Sequence, residues 1–91
     1  MLKTKVITKH YPPKKVLDLF KTINDNYEIT NGYEIVIDKT NIKQIFPIIY
    51  KFNGLTIYHF VNEESTNKCF YIIENQMVYD FNDLKLVLTN M

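Results

Sequence analysis

The chain has 91 residues, of which 46% are hydrophobic and 14% aromatic, and its formal net charge at pH 7 is +1. This length suits one globular domain over residues 1–91, and the seven Tyr and six Phe supply large side chains for its core. The chain has eleven Lys, no Arg and ten acidic residues, whereas a typical nucleic-acid binder has a basic, Arg-rich surface. Composition therefore argues against nucleic acid as a partner.

The sequence also bears on compartment and source. No apolar run reaches the roughly 18 residues that a membrane span needs, and Met1 to Lys5 do not show a secretory-signal pattern. Cys69 is the single cysteine, which excludes an internal disulfide and fits a reducing compartment. We therefore expect a cytoplasmic protein of a bacterial or virus-infected cell, without membrane contact. Lys, Asn, Ile, Tyr and Phe, which AT-rich codons specify, make up 46 residues and indicate an AT-rich genome.

The first elements are a strand and a helix. Lys3 to Thr8 alternate in polarity and predict a strand, and His10 to Pro13 form a stiff connector with Pro13 suited to the first helical position. From Lys14 to about Asn24, polar and apolar residues separate onto two faces, which predicts an amphipathic helix. Its predicted core face consists of Val16, Leu17, Leu19, Phe20 and Ile23.

The only two glycines each follow an asparagine, and Asn-Gly favours either a hairpin turn or a helix C-cap. The β-prone runs Tyr27 to Thr30 and Tyr33 to Asp38 flank Asn31-Gly32. This arrangement predicts a hairpin with a type I′ turn.

Asn53-Gly54 has two interpretations. The favoured one is a helix through Ile42 to Asn53 with Gly54 as its C-cap, because the apolar residues fill one arc of a helical wheel and Pro47 falls on the solvent side. The alternative makes Pro47 to Phe52 a strand and Asn53-Gly54 a second hairpin turn.

The C-terminal part is rich in strand signals. The predicted segments are a strand at Leu55 to Val61, a polar loop at Asn62 to Asn67, a strand at Lys68 to Glu74, a turn at Asn75-Gln76 into Met77 to Phe81, and an edge strand or short helix at Asp83 to Met91. The favoured fold is α+β, with the ferredoxin-like β-α-β-β-α-β order, an antiparallel sheet with two helices on one face, and a C-terminal hairpin. The alternative is a β-meander with one principal helix.

The sequence does not contain a recognisable catalytic or metal-binding motif. His59 shares a strand face with apolar residues, which favours a core position, and His10 belongs to the predicted connector. Neither histidine has a partner at zinc-ligand spacing. Cys69 is expected to be a buried structural residue, and Glu63 and Glu64 belong to a polar loop. We therefore expect a protein that is not an enzyme and has no cofactor, no metal and no catalytic site.

The tyrosines of the C-terminal strands suggest a binding surface. We expect Tyr58, Tyr71 and Tyr79 to face outward and to bind a partner, because Tyr combines a large rigid ring with a hydroxyl. The hypothesis is a small binding protein of the inhibitor, immunity or anti-defence type that occupies a protein partner, encoded by an AT-rich phage, plasmid, virus or low-GC bacterium. A homodimer would use the same surface. The alternative function is a nucleic-acid-binding or transcription-related module, since Tyr and Phe beside Lys can stack on bases.

Overall fold

Within residues 5–37, 42–61 and 70–90, which the computed structural model describes, the chain forms two helices and eight strands in an α+β arrangement. The helices are α1 (Lys14–Ile23) and α2 (Phe81–Thr89), and the strands are β1 (Lys5–His10), β2 (Tyr27–Thr30), β3 (Gly32–Ile37), β4 (Ile42–Phe46), β5 (Ile48–Phe52), β6 (Leu55–Phe60), β7 (Phe70–Ile73) and β8 (Gln76–Val78). The strands form two antiparallel sheets, with the orders β1-β3-β4 and β2-β5-β6-β7-β8.

Helix α1 follows the predicted amphipathic pattern. Val16, Leu19 and Phe20 are buried, whereas Ile23 at its last position is at the surface. Pro13 lies one residue before the helix in an extended conformation, and its carbonyl oxygen accepts hydrogen bonds from the Val16 and Leu17 amides. Pro13 is thus the N-cap and not the first helical residue, so the helix begins one residue later than the sequence predicts.

Helix α2 resolves the two interpretations of the C-terminal segment. Asp80 is its N-cap, and its Oδ1 atom accepts a hydrogen bond of 2.8 Å from the Asp83 amide. Leu84 and Leu88 are buried and Leu86 is exposed. Residues four apart share a helical face and residues two apart do not, so this burial pattern is that of a helix and not of an edge strand.

A long two-stranded ribbon links the two sheets. Tyr27 pairs with Phe52 and Thr30 with Ile49 in the five-stranded sheet, while Tyr33 pairs with Phe46 and Ile37 with Ile42 in the three-stranded sheet. The register is the same on both sides of the boundary. Strands β2 and β3 are therefore one extended segment, which runs antiparallel to a second one made of β4 and β5.

The ribbon is interrupted where Gly32 lies opposite Pro47. A Cβ atom on Gly32 would be 2.5 Å from the Phe46 carbonyl oxygen and 2.8 Å from both the Pro47 carbonyl carbon and the Ile48 nitrogen. Proline has no N–H with which to continue the ladder. The two backbones thus approach closely at a point where the hydrogen bonding between them is broken.

Two of the predicted elements are wrong. Asn31-Gly32 is not a hairpin turn, because β2 pairs with β5 while β3 pairs with β1 and β4. The helix predicted over Ile42 to Asn53 is replaced by β4 and β5. The alternative interpretation holds at Asn53-Gly54, whose φ angles of 54° and 81° suit a type I′ turn between β5 and β6.

The ferredoxin-like order and the packing of two helices on one face of a single sheet are not confirmed. The observed strands form two sheets, and the segment expected to supply the second helix is extended. The meander alternative shares the consecutive pairing of β5 to β8 with the structure, which has a second helix, α2, besides α1. The predicted polar loop Asn62 to Asn67 and Cys69 lie outside the described residues.

The hydrophobic core joins one face of the five-stranded sheet to the two helices. Phe20 is central to it, because its ring stacks on Phe52 at 4.5 Å and meets Tyr50 edge-on at 5.2 Å. The buried apolar residues are Val16, Leu19, Phe20, Ile48, Tyr50, Phe52, Ile57, Tyr71, Ile73, Val78, Leu84 and Leu88. Alternate residues of each strand contribute to this face, as expected for a sheet covered on one side.

We predict that Gly32→Ala destabilises the protein. The added methyl group would meet backbone atoms of the opposite strand that cannot move independently, so the free energy of unfolding should fall by about 1–3 kcal/mol in urea denaturation. The neighbouring exposed residue provides a control, since Asn31→Ala should change stability by less than about 0.5 kcal/mol. Equal stability of the two variants would contradict the close approach at Gly32.

Candidate functional site

The five-stranded sheet has a second face, opposite the core, which we call the outer face. Strand register places one residue from each strand in a single row across it: Thr30, Ile49, Tyr58, Ile72 and Met77. Tyr58 is 40% exposed and Met77 53% exposed. Four of the five side chains in this row are thus large and apolar or aromatic, at the face that does not carry the core.

A pair of phenylalanines extends the row. Phe60 and Phe70 are opposite each other on β6 and β7, and their rings stack at 5.0 Å. Both side chains are half-buried. We call the six residues Ile49, Tyr58, Phe60, Phe70, Ile72 and Met77 the outer patch. Patches of this kind on small proteins mark interaction surfaces more often than isolated exposed apolar residues do.

The structure does not bring the three predicted tyrosines together. Tyr58 is in the outer patch, but Tyr71 is fully buried on the core face, where it pairs with His59 and Val78. Tyr79 is 66% exposed and lies between β8 and the N-cap of α2. The expectation that Tyr71 faces outward is therefore wrong, because strand alternation puts Tyr58 and Tyr71 on opposite faces.

Ile49 and Met77 belong to the outer patch but were not predicted as surface residues. In β5, Ile48, Tyr50 and Phe52 are buried, whereas Ile49 is half-buried and Lys51 exposed, an alternation that is lost when the segment is interpreted as a helix. Met77 pairs with Ile72 across β7 and β8. The two-residue turn at Glu74 and Asn75, both of which have positive φ, sets this register.

His59 is buried in the core among aromatic rings. Its Nδ1 atom and the Tyr50 hydroxyl form a hydrogen bond of 2.9 Å, and its ring stacks on Tyr71 at 4.3 Å. Nε2 does not have a hydrogen-bond partner among the described residues. Burial, together with the nearby Lys15 and His10, lowers the pKa of His59 to about 4. His59 is therefore neutral at pH 7, and its core position agrees with the sequence prediction.

His10 occupies a different place from the exposed connector that the sequence predicts. It is the last residue of β1, is buried, and pairs with Gly32 across the sheet. Its Nε2 atom lies 3.6 Å from a carboxylate oxygen of Glu34, which is also buried. The strand continues two residues further than the predicted one, and this extension carries His10 inside.

The buried polar residues His10, Glu34 and His59 are enclosed by the fold. The described part of the chain does not contain a group of three or more His, Cys, Asp or Glu that could hold a metal ion. Burial of His59 between Tyr50 and Tyr71 suits a residue that packs and hydrogen-bonds in the core. Neither helix found in the described ranges is long and apolar enough to cross a membrane.

The three-stranded sheet, which we call the arm, also carries apolar side chains at the surface. Residues Lys5 to Lys9 of β1 are all exposed, so the described residues cover neither face of this strand, and Ile7 is 57% exposed. Tyr33 and Phe46 pair across β3 and β4 and stack at 4.5 Å, and Tyr33 lines a shallow groove with Lys5, Ile7, Lys9 and Ile35.

Comparison with known proteins does not add a relative: no protein-family model, curated protein or solved structure matches the chain.

We predict that acid destabilises the protein through His59. The folded-state pKa of about 4 lies below the ordinary histidine pKa of 6.5, so the unfolded chain binds the proton first as the pH falls. Stability from neutral His59 is fully present above pH 6.5 and is lost between pH 6.5 and about 4, by roughly 3 kcal/mol. Urea denaturation at a series of pH values measures this loss.

His59→Asn is the control for this prediction. The amide oxygen can accept a hydrogen bond near the position of Nδ1, but the side chain does not titrate. The variant should lose less stability than the natural protein between pH 6.5 and 4. Parallel curves for the two proteins would show that His59 is not the group responsible.

Proposed function

We propose that the protein is a small, non-catalytic binding protein that acts by occupying a macromolecular partner, and that this partner is a protein. The outer patch carries this proposal. It places Tyr58 in a row of large side chains that crosses four of the five strands, from β5 to β8. Interface cores are enriched in Tyr, Phe and Met and depleted of charge, and the outer patch has that composition.

The aromatic rings of the outer patch are partly exposed to water. A partner that covers apolar surface gains a binding free energy of about 25 cal/mol for each Å² removed from water. Here the apolar surface forms one continuous patch. Tyr58 resembles a typical interface hot spot, because it lies between Ile49 and Ile72 while its side chain remains partly exposed. A protein surface with matching apolar groups gains the most from covering it.

The biological class belongs to the same proposal and is supported by composition. We propose an inhibitor, immunity or anti-defence role in the cytoplasm of a bacterial or virus-infected cell, since the codon-biased composition suits a phage, plasmid, virus or low-GC bacterium. A protein that works by occupying a partner needs a stable surface and not a reactive group. The enclosure of His59 and His10 is consistent with that requirement.

We predict that Tyr58→Ala reduces partner binding by tenfold or more without unfolding the protein. The expected loss is that of an interface hot spot, about 2 kcal/mol, whereas a partly exposed ring contributes little to the core. The measurement is affinity capture from the native host with quantitative mass spectrometry, followed by titration of the purified partner.

Tyr79→Ala is the matched control, because it removes an equally large exposed ring outside the outer patch. It should bind the partner as the natural protein does. Tyr71→Ala should unfold the protein instead, since that ring is in the core. Equal capture by the Tyr58→Ala and natural proteins would contradict the proposal, and a concentration-dependent dimer lost in Tyr58→Ala would assign the outer patch to a second copy.

A further inference from the structure

Among the described residues, β1 is an edge strand of the arm. In the described part of the chain its strand partner is β3, and the side away from β3 is not paired. At six residues, β1 is longer than β2 and β8, the edge strands of the other sheet. A strand in this position presents a row of backbone N–H and C=O groups that can pair with another extended chain.

The side chains of β1 are arranged with a distinct charge pattern. Lys5, Ile7 and Lys9 share one face of the arm, since alternate residues of a strand point the same way. Their partners on β3 are Ile37, Ile35 and Tyr33, none of which is acidic. Glu34, the carboxylate on β3, points to the other face and lies beside His10. The described strands therefore place two ammonium groups and no carboxylate on this face.

This pattern opposes self-pairing. Two copies of β1 joined antiparallel about Ile7 would place Lys5 of each copy opposite Lys9 of the other, and like charges directly opposite are destabilising. Shifting the register by two residues would relieve this repulsion but would shorten the ladder. The lysines thus protect the edge against a second copy, as edge lysines do in other sheets.

Nucleic acid is also a poor match. The chain has no Arg and a net charge of +1, so its attraction to a polyanion is weak. A free strand edge offers alternating backbone donors and acceptors, which an extended polypeptide can satisfy throughout its length and a nucleic acid cannot.

We propose that the β1 edge binds an extended segment of a protein partner as an added strand. The segment has acidic side chains opposite Lys5 and Lys9 and an apolar side chain opposite Ile7. Backbone hydrogen bonds supply the pairing, and the two lysines select the sequence. This inference rests on the proposed function, to which it adds the chemistry of the partner.

The test uses two synthetic peptides and the ¹⁵N-labelled protein. One peptide is acetyl-Thr-Glu-Thr-Val-Thr-Glu-Thr-amide, and the other has lysine in place of both glutamates. The acidic peptide should bind about tenfold more tightly, because it replaces two repulsive cross-strand pairs by two attractive ones. It should also slow hydrogen exchange at those amides of β1 that point away from β3, which charge attraction alone would not do.

Charge reversal provides the matched variants. The Lys5→Glu/Lys9→Glu protein should prefer the lysine peptide. Lys14→Glu/Lys21→Glu makes the same change in net charge on the exposed face of α1 and should keep the natural preference. Equal binding of both peptides, protection elsewhere than β1, or tighter binding of an oligothymidylate to the same residues would each overturn the inference.

Capture from the native host separates this inference from the proposed function. If the partner binds the Lys5→Glu/Lys9→Glu protein as tightly as the natural one but does not bind Tyr58→Ala, the outer patch is correct and the β1 site is wrong. If the natural protein does not capture a partner and the acidic peptide still protects β1, the proposed function fails while the edge site remains.

Discussion

The close approach of Gly32 to Pro47 is the constraint on which the rest of this architecture depends. A glycine lets the two backbones come within a distance that any side chain would prevent, and a proline on the opposite strand removes a ladder hydrogen bond at the same point. The ribbon made of β2-β3 and β4-β5 therefore divides between two sheets without changing register. Its first half closes the edge of the five-stranded sheet, and its second half forms the arm with β1. Both candidate binding surfaces follow from this division.

The same junction explains where the buried polar groups lie. His10 pairs with Gly32, and His59 pairs with Ile48, which directly follows Pro47. Polar side chains are costly to bury without partners, and here each has one: His59 with Tyr50 at 2.9 Å and His10 with Glu34 at 3.6 Å. Burial, Lys15 and His10 all lower the pKa of His59, so the His59 imidazole buried in this part of the core is neutral at pH 7.

The sequence predicted the elements whose signals are local and missed those that depend on distant partners. Helix α1 and strand β2 agree closely with prediction, because an amphipathic period and a bounded β-prone run are visible in short windows. The segment from Ile42 to Phe52 is apolar on so many positions that it fits a helical wheel as well as a strand, and only pairing with β3, β2 and β6 decides between them. Asn31-Gly32 shows the same limit, because its glycine serves a contact with Pro47 that no local rule reveals. In the candidate site, Tyr58 was predicted from the sequence. The core position of Tyr71 and the outer-face positions of Ile49 and Met77 follow only from the strand register.

The arm and the outer patch differ in what they can contribute to recognition. The outer patch offers apolar area, which gives affinity but discriminates weakly between partners of similar shape. Strand β1 offers backbone hydrogen-bonding groups, and Lys5 and Lys9 lie beside them. The charges of these lysines repel a second copy of the same strand. That repulsion is also what makes the edge selective, because a charge pattern that excludes one sequence favours its complement. An exposed strand with apolar residues on both faces would be an aggregation hazard without the lysines, and with them it becomes a surface that accepts a restricted class of extended chains.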